Sequence, residues 1–384
     1  MKLAFQLAYR NLIGAGLRTW LNVGVLSFAF VLIILYNGIL DGWNQQARTD
    51  TIAWEYGQGQ LRFGEYDPYD PFTVLDGHGV LPESKQEGLI PILLRQGTIY
   101  PGGRMLSVIL KGIDVDQTIL NIPTAQLKTS NANIPVILGK RMAESAHLKE
   151  GDEVLMRWRD KNGTYDASTI TVAGIFDCNV PTVDGGQIWM GIDKLWEITQ
   201  LQGSATLFVA STDEPLSEEG WEYLSQENLL QDLADMIEMK KYSSSIMYGL
   251  LLLIALLAIF DTQVLSIFRR QKEIGTYIAL GMTRAKVVVL FTIEGTMYSI
   301  LATIVGSLYG IPLFMYLTKT GMGMPEASQD MGFAVAERIY PMYSVGLVLS
   351  TVLLVVISAT IVSFLPARKI AKMDPVDALK GKMQ

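Results

Sequence analysis

Charged side chains are scarce in this sequence. Only 18% of its 384 residues are Asp, Glu, Lys or Arg, and 49% are hydrophobic. A soluble globular chain normally carries about a quarter charged residues. This deficit excludes a disordered chain and an ordinary cytosolic enzyme. The net charge of −7 excludes a nucleic-acid partner, because phosphate binding requires a basic surface.

Residues for metal, redox and nucleotide chemistry are equally few. Cys178 is the single cysteine, so no intramolecular disulfide can form, and His78 and His147 lie far apart without metal-ligand spacing. The sequence contains neither a Gly-x-x-x-x-Gly-Lys-Ser/Thr phosphate loop nor a Gly-x-Ser-x-Gly nucleophile turn. We therefore predict no catalytic, cofactor or metal site in this chain, and we expect Cys178 to be a small buried hydrophobic residue.

Long apolar runs are what the sequence has instead. Residues 19–40, 295–317 and 342–365 carry no charge, and residues 243–268 carry only Asp261. A helix needs roughly 20 apolar residues to cross the hydrocarbon core of a bilayer. The first run lacks a small-x-small cleavage site, so we expect it to be retained rather than removed as a secretory signal. The predicted membrane spans are residues 19–41, 243–268, 287–317 and 342–365.

The charges between these spans predict their orientation. Residues 269–286 and 366–384 are basic, as are residues 1–18, whereas residues 42–242 hold 16 Lys/Arg and 29 Asp/Glu. Short loops rich in Lys and Arg stay in the cytoplasm. We therefore expect both termini and the 269–286 loop to be cytoplasmic, and residues 42–242 and the short loop 318–341 to lie outside.

The segment before the first span has two possible structures. In residues 1–18, Leu3 and Leu7 alternate with polar residues such as Lys2 and Arg10. This spacing is consistent with a helix lying along the inner membrane surface, and a plain cytoplasmic leader is the alternative.

Residues 42–242 are long enough to form a domain, and their pattern is mixed α+β. Asn162-Gly163 is typical of a tight β-hairpin turn. From residue 216 onward the pattern predicts a helix that continues into the second span, with a break at residues 242–245 as the alternative. The turn-rich residues 41–79 form either a recognition loop or an ordinary surface loop. The predicted strands are residues 107–114, 134–139, 152–159, 168–176, 187–190 and 206–210, and the predicted short helices are residues 140–147 and 192–200.

The loop between the second and third spans contains a short helix of its own. Residues 271–280 favour a helix, Gly281 is the residue type that ends one, and residues 282–289 restart a helix. We interpret this segment as a docking site for a soluble partner, and a simple basic hairpin is the alternative. The candidate docking residues are Glu273, Ile274, Gly275, Ala279, Leu280, Gly281, Met282, Thr283 and Arg284.

Two carboxylates fall within or beside the predicted spans. Asp261 lies about two helical turns before Arg269, and Glu294 lies eight residues after Lys286. An ionisable group inside the membrane indicates a pair, a subunit contact or a functional role. Asp261 is either part of a structural pair or a functional group, and we expect Glu294 to pair with the basic loop.

The same loop carries a resemblance to a known family. Its motifs are Lys272-Glu273-Ile274-Gly275 and Ala279-Leu280-Gly281-Met282, followed by Glu294-Gly295 in the third span. The order and spacing of these motifs resemble the FtsX-like permeases, which are the membrane subunits of type VII ABC transporters, and residues 366–379 resemble that family's C-terminal pattern. The outer segment resembles a MacB-type periplasmic core domain in residues 112–114, 138–139, 148–152 and 172–176.

Within the family, the stretch near Trp221 and residues 261–266 are most similar to the lipoprotein-releasing LolC/LolE-type branch. Two departures are visible: Asp261 stands where the family usually has a neutral residue, and the hairpin at Asn162 is too short for the long hook that recruits a periplasmic carrier.

The resemblance implies a fold and a function. The fold is an α-helical membrane protein with four transmembrane helices and a periplasmic α+β domain between the first and second helices. The chain would be a non-catalytic permease in the bacterial inner membrane that transmits ATP-driven motion outward. ATP and Mg would bind to a separate cytoplasmic ABC ATPase, present in two copies. The short helix and turn at residues 271–283 would dock on this ATPase.

The resemblance also implies further partners. A second permease chain would form a homo- or heterodimer with this one, and the cargo would be a lipoprotein or another amphiphile, with a periplasmic carrier or fusion protein as a further partner. The alternative functions are a drug or peptide exporter that works with a membrane-fusion protein, and a signalling subunit that regulates a cell-wall hydrolase.

Overall fold

The structure is a computed structural model that describes residues 17–213, 218–323 and 338–372. The chain divides into two compact units. One contains residues 1–42, 237–322 and 340–384, and the other contains residues 43–236 and 323–339. We call them the helical unit and the sheet unit. The predicted surface helix in residues 1–18 lies almost wholly outside the described residues.

The elements are numbered here in chain order. The helices are α1 (Leu17–Thr51), α2 (Ala125–Thr129), α3 (Lys140–Ala146), α4 (Pro181–Asp184), α5 (Ile192–Thr199), α6 (Gln226–Leu229), α7 (Gln231–Arg269), α8 (Gln271–Ala279), α9 (Arg284–Thr320) and α10 (Val345–Ala367). The strands are β1 (Gly59–Phe63), β2 (Gly79–Val80), β3 (Leu89–Ile99), β4 (Leu106–Ile113), β5 (Pro135–Gly139), β6 (Glu153–Arg159), β7 (Tyr165–Phe176), β8 (Gln187–Gly191), β9 (Ser204–Ala205), β10 (Leu207–Ala210), β11 (Trp221–Ser225), β12 (Met322–Gly323) and β13 (Arg338–Ile339). A π-helical turn (Ile52–Tyr56) follows α1, and short 3-10 turns lie at Pro71–Val74, Glu83–Lys85, Pro101–Gly103 and Arg368–Lys372.

Four helices in the described residues are long and apolar enough to cross a membrane. They are α1 with the π-helical turn after it, α7, α9, and α10 with the 3-10 turn after it. Together with the sheet unit they fit the predicted class, a membrane protein with an α+β domain. The helices extend past several of the predicted span limits, because backbone hydrogen bonding continues where the apolar run has already ended.

The end of the first span differs from the prediction. Residues 41–43 do not end the helix, which continues as α1 to Thr51. Trp43, just beyond the predicted end of the span, is buried. A Cβ atom at Gly42 would overlap the backbone of Tyr340, so glycine permits a close approach there. Residues 41–79 are therefore not one loop, because they contain the end of α1 as well as β1.

The core of the helical unit draws residues from all four long helices. Leu26 and Ile34 of α1 are almost fully buried, as are Ile259 of α7, Ala302 of α9 and Ala359 of α10. Thr296 and Thr360 join α9 to α10 through a 3.0 Å contact between their hydroxyl oxygens. The core combines apolar packing with hydroxyl hydrogen bonds, as membrane helices do.

The sheet unit is built on nine strands in the order β11-β1-β10-β3-β4-β8-β5-β7-β6, with a further pairing between β3 and β6. That pairing closes six strands, β3, β4, β8, β5, β7 and β6, into a ring. Strands β10, β1 and β11 extend the sheet beyond β3. All six predicted strands are present, with small shifts at their ends. Successive side chains of a strand point to opposite faces of the sheet, and here the two faces pack in two apolar clusters.

The prediction of a helix from residue 216 was wrong at its start. Residues Trp221–Ser225 form strand β11, which pairs antiparallel with β1, and residues 214–217 lie outside the described part. The Trp221 ring packs 5.3 Å from Phe63 and 5.1 Å from Phe208, measured between ring centroids. These aromatic contacts and the open edge of β1 favour a strand over the helix that the local spacing predicts. The long helix α7 begins at Gln231 and has no break at residues 242–245.

The β6–β7 hairpin has a wider turn than the Asn-Gly pair predicts. Arg159 pairs with Tyr165, so five residues form the connection. The Asp160 carboxylate accepts hydrogen bonds from the backbone amides of Asn162 at 2.9 Å and Thr164 at 2.8 Å, and Gly163 has a φ of +83°. The hydrogen bonds to Asp160 therefore stabilise a five-residue connection in place of the predicted two-residue turn.

Candidate functional site

Helix α8 ends in a turn whose geometry depends on glycine. The Met282 amide donates to the Tyr277 carbonyl at 3.0 Å, and the Gly281 amide donates to the Ile278 carbonyl at 3.0 Å. Gly281 has a φ of +93°. This pair of bonds is a Schellman motif, which requires a left-handed residue directly after the helix. The predicted helix end at Gly281 is therefore confirmed.

One face of α8 is anchored in the helical unit. Ile274 is fully buried and Gly275 is buried beside it. The apolar cluster around Ile274 includes Ile267 of α7, Phe291 of α9 and Ile370 after α10. A helix of nine residues is marginal by itself in water, so this packing is what fixes its position.

The opposite face of α8 and the turn after it are exposed. The Leu280 side chain is 81% exposed, which is unusual for leucine, whereas Met282 is half-buried. The structure therefore divides the nine predicted docking residues into a buried pair, Ile274 and Gly275, and a mostly exposed group. The exposed residues are Glu273, Ala279, Leu280, Gly281, Thr283 and Arg284.

An ion-pair network lies at the start of α8. Arg270 Nη1 lies 2.9 Å from Glu294 Oε2, and Arg270 Nε lies 2.7 Å from Glu273 Oε2. Glu294 is only 6% exposed, and the Arg270 guanidinium also lies 5.0 Å from the centre of the Phe291 ring. The structure thus pairs Glu294 with the basic loop through Arg270. Sequence reasoning did not single out Arg270, because it is one of several basic residues in the loop.

Gly295, next to Glu294, lies at a close helix contact. A Cβ atom at this position would overlap Ser363 of α10 and crowd the Gln263 amide of α7. Small residues let membrane helices approach closely. The Glu294-Gly295 pair therefore joins an ion pair to a tight helix contact, and the partners Gln263 and Ser363 were not predicted.

Asp261 forms no pair within the described residues, and its interpretation as a subunit contact or functional group stays a prediction. Its side chain is exposed on α7, and no described residue makes a hydrogen bond or ion pair with it. It lies in an exposed stripe whose other members are apolar and recur every three or four residues. Those members are Leu250, Ile254, Leu257, Leu265 and Phe268. We call this surface the α7 stripe, and no other part of the described chain covers it.

The inner side of α7 is tied to α1 close to Asp261. The Asn22 amide donates to the Thr262 hydroxyl and to the Ala258 carbonyl, the latter at 3.4 Å. Toward the other end of the helix, Lys241 Nζ lies 2.5 Å from Asp41 Oδ1. These contacts hold α7 in one rotation about its axis, so the α7 stripe has a defined direction.

In the sheet unit, a buried ion pair joins α3 to α4. Arg141 Nη1 lies 2.8 Å from Asp184 Oδ2, and the Arg141 amide donates to Asp184 Oδ1 at 3.2 Å. Burial raises the pKa of Asp184 to about 6 against the opposing effect of Arg141. A Cβ atom at Gly139 would overlap Asp184, so this glycine makes room for the carboxylate. The arrangement is a structural clamp without a free catalytic group.

Cys178 lies close to this clamp. Its side chain is buried, and burial raises the pKa of its thiol to about 12. The expectation of a buried cysteine is confirmed. Among the described residues, no group of three or more His, Cys, Asp or Glu side chains has the arrangement of a metal site.

The four long apolar helices, the ring of strands and the exposed turn after α8 describe a permease-like membrane protein. Residues 245–375 match the family model described as FtsX-like permease C-terminal. This part of the chain is an FtsX-like permease domain, of the type found in ABC transporter permeases. The predicted resemblance is thereby confirmed for the helices α7 to α10.

Three curated relatives extend this result. The chain is 30% identical over 132 residues to the uncharacterized ABC transporter permease YknZ of Bacillus subtilis. It is 22% identical over 281 residues to the lipoprotein-releasing system transmembrane protein LolC of Xylella fastidiosa strain 9a5c. It is 26% identical over 128 residues to the macrolide export ATP-binding/permease protein MacB of Acinetobacter baylyi.

The shared regions differ in extent. The YknZ match covers 34% of this chain and 29% of YknZ, and the MacB match covers 33% of this chain and 17% of MacB. The LolC match covers 66% of this chain and 66% of LolC. Residues 245–384 cannot supply two thirds of the chain, so the similarity to LolC reaches into residues before 245.

Proposed function

We propose that this chain is the permease subunit of an ABC transporter that transmits force from a separate ATPase to an amphiphilic cargo outside the membrane. The observation that carries this proposal is the exposed turn at Leu280 on a helix that is anchored by buried Ile274. Burying this leucine side chain in an apolar groove of a partner would remove apolar surface from water and so favour docking.

The ATPase would contact the exposed residues of the turn. Leu280 would enter a groove of the ATPase, and Arg284 would lie at its polar edge. Force on the turn would reach α7 and α9 through the packing of Ile274 and through the ion pair between Arg270 and Glu294. ATP and Mg would be bound by the partner, two copies of which would serve two permease chains.

The second permease chain, a copy or a relative, would cover the α7 stripe. An aspartate on a lipid-facing surface costs about 2.5–3.5 kcal/mol near the centre of a membrane helix. A partner that offers a hydrogen-bond donor to Asp261 would remove that cost. The apolar neighbours Leu257 and Leu265 would supply the packing around it.

The cargo is the least constrained part of the proposal. Similarity to LolC over two thirds of this chain supports a lipoprotein or another amphiphile, and a periplasmic carrier would then receive it. The match to MacB favours a second candidate, which is export of a drug or peptide with a membrane-fusion protein. Mass spectrometry of cargo that remains bound to the purified complex would distinguish the two.

The docking proposal is tested with a purified candidate ABC ATPase and the full chain in lipid nanodiscs. We expect Leu280→Asp to weaken ATPase binding at least tenfold and to abolish any stimulation of ATP hydrolysis by the permease. The matched control is Leu155→Asp, which changes an exposed leucine on β6 in the sheet unit. Equal binding by Leu280→Asp and the unchanged chain would contradict the docking role.

The proposed orientation places the sheet unit in the periplasm and the turn after α8 in the cytoplasm. In a Cys178→Ala background, Met105→Cys and Leu280→Cys introduce thiols at two exposed positions. A membrane-impermeant maleimide added to intact spheroplasts should label Met105→Cys alone, and lysis should make Leu280→Cys reactive. Labelling of both sites before lysis would rule out the orientation.

A further inference from the structure

The sheet unit contains a cavity of about 560 Å³ on the outer face of the strand ring. Arg62 of β1, Leu94 of β3, Lys111 of β4 and Trp189 of β8 form part of its floor. Leu94, Lys111 and Trp189 are direct cross-strand neighbours, so their side chains share one face of the sheet. Ligand pockets typically measure about 300–1,000 Å³, so the volume suits a small molecule or the head of a larger one.

Lys111 is an unusual residue for the floor of this cavity, because it is charged and buried. Strand β4 has neighbours on both sides, and its adjacent residues on this face, Ile109 and Ile113, are apolar and pack in the core. The Lys111 side chain is only 7% exposed. Lysine is almost never buried without a partner, because desolvating an ammonium group is costly.

The direct contact of Lys111 is with an aromatic ring, and Glu55 favours its charged form only from a distance. Its Nζ atom lies 4.8 Å from the centre of the Trp189 ring. Within residues 17–213, 218–323 and 338–372, it makes no hydrogen bond and no ion pair. Burial accordingly lowers the pKa of Lys111. The ammonium group faces a polar cavity with its hydrogen-bond donors unused.

The lining contains three further charged groups, Arg62, Glu55 and Asp232. Arg62 donates from Nε to the Gln60 side chain at 3.0 Å and has no carboxylate partner among the described residues. The two acids at the cavity already accept hydrogen bonds from hydroxyl groups. Glu55 accepts from Thr182 at 2.5 Å, and Asp232 accepts from Tyr69. These two bonds occupy the acids within the chain, whereas Lys111 has no hydrogen-bond acceptor within the described residues.

We propose that this cavity binds an oxyanion group, a carboxylate or a phosphate, with Lys111 and Arg62 as its cationic partners and Trp189 as an apolar contact for the rest of the ligand. The oxyanion belongs either to a small soluble metabolite or to a lipid headgroup. The nearby carboxylates of Glu55 and Asp232 disfavour a polyanion, so the ligand carries one compact anionic group. The inference does not depend on the proposed transport function.

The test uses the full chain purified in detergent free of phospholipid. Isothermal titration calorimetry is carried out with three probes: inorganic phosphate, acetate and dihexanoyl phosphatidylglycerol below its critical micelle concentration. We expect saturable binding of at least one probe. Lys111→Met should weaken it at least tenfold, whereas the control Lys161→Met, an exposed lysine in the β6–β7 connection, should change it less than twofold.

The probes separate the two sources. Tighter binding of phosphate or acetate supports a soluble ligand, and tighter binding of the short-chain lipid supports a headgroup. If no probe binds saturably to the unchanged chain, or if Lys111→Met binds as tightly, the proposal is overturned.

A stability measurement distinguishes a ligand-binding lysine from a structural one. Methionine has a similar length and no charge, so Lys111→Met removes a buried ammonium group without leaving a large cavity. Without ligand, its melting temperature should equal or exceed that of the unchanged chain. A clear drop in melting temperature would show that Lys111 supports the fold, and would contradict the proposal.

Discussion

Arg270 Nη1 lies 2.9 Å from Oε2 of Glu294, across 24 residues of sequence, and this pair fixes the start of α8 against α9. Both side chains are largely withdrawn from solvent, at 18% and 7% exposure. The pair therefore differs from the exposed Glu273 contact of the same arginine.

Glu294→Gln should destabilise the helical unit, because it leaves the half-buried Arg270 without its main carboxylate. We expect a loss of about 1–3 kcal/mol in the free energy of unfolding. Glu273→Gln is the control and should cost less than about 1 kcal/mol, because its carboxylate is 54% exposed. Thermal unfolding of the two variants in detergent provides the comparison, and equal losses would contradict this account.

Gly295→Ala should destabilise the helix bundle, whereas Gly249→Ala should not. A Cβ atom at Gly295 overlaps Ser363, but a Cβ atom at Gly249 in α7 meets nothing within 4 Å. Alanine favours a helix over glycine by about 1 kcal/mol, so the control should be neutral or stabilising. We expect Gly295→Ala to lose about 1–3 kcal/mol.

Melting temperatures of the two alanine variants decide the point. An unchanged melting temperature for Gly295→Ala would show that α10 can move away from α9 without loss of stability.

Asp261→Leu should leave the fold of the single chain intact but weaken association with the second permease chain. The side chain is exposed on the α7 stripe, so its removal breaks no contact within the described residues. Asp261→Asn keeps the hydrogen-bonding atoms and should retain more association than Asp261→Leu. Native mass spectrometry of the assembled complex measures the effect, and full assembly with leucine would dismiss the subunit-contact role.

Stability of the sheet unit should depend on pH through Asp184. Burial raises the pKa of this group to about 6, above the value near 3.9 of an unfolded aspartate. The folded state therefore binds the proton more tightly. The resulting stabilisation is fully present below about pH 4 and is lost as the pH rises through 6.

Asp184→Asn removes this titration, so the unchanged chain should gain about 1–3 kcal/mol relative to the variant between pH 7 and pH 4, since one pKa unit corresponds to about 1.4 kcal/mol. Asp177→Asn, which alters an exposed ion pair with Lys140, is the control and should show little such gain. Melting temperatures at several pH values test the sign. A gain of the opposite sign would contradict the raised pKa.

The sequence predicts the membrane helices well, because four long runs with at most one charge leave few other structures. It also predicts the helix end at Gly281, because glycine readily adopts the left-handed conformation that such a helix end requires. This preference belongs to the residue itself and does not depend on tertiary packing. The Trp221 strand was mispredicted, because its stability comes from pairing with β1 and from contacts with Phe63 and Phe208 that local spacing does not contain.

Lys111 and Arg270 show a second limit of sequence reasoning. A lysine within a strand is normally placed on an exposed face, and only the tertiary packing reveals that the two faces of β4 lie against two apolar clusters. Arg270 lies in a loop with other basic residues, and its pairing with Glu294 becomes visible only when α8 folds against α9. Both features depend on tertiary packing.

The apolar cluster around Ile274 has a consequence for how a load would spread through the protein. Ile274 belongs to a short helix, yet its cluster includes Ile267, Phe291 and Ile370, which come from three separate stretches of chain. A displacement of the Leu280 tip would therefore be divided among three membrane helices at once, and none of them could yield without repacking the others. Because the contacts are shared among these stretches, single substitutions on any one of them should weaken the proposed coupling gradually rather than abolish it.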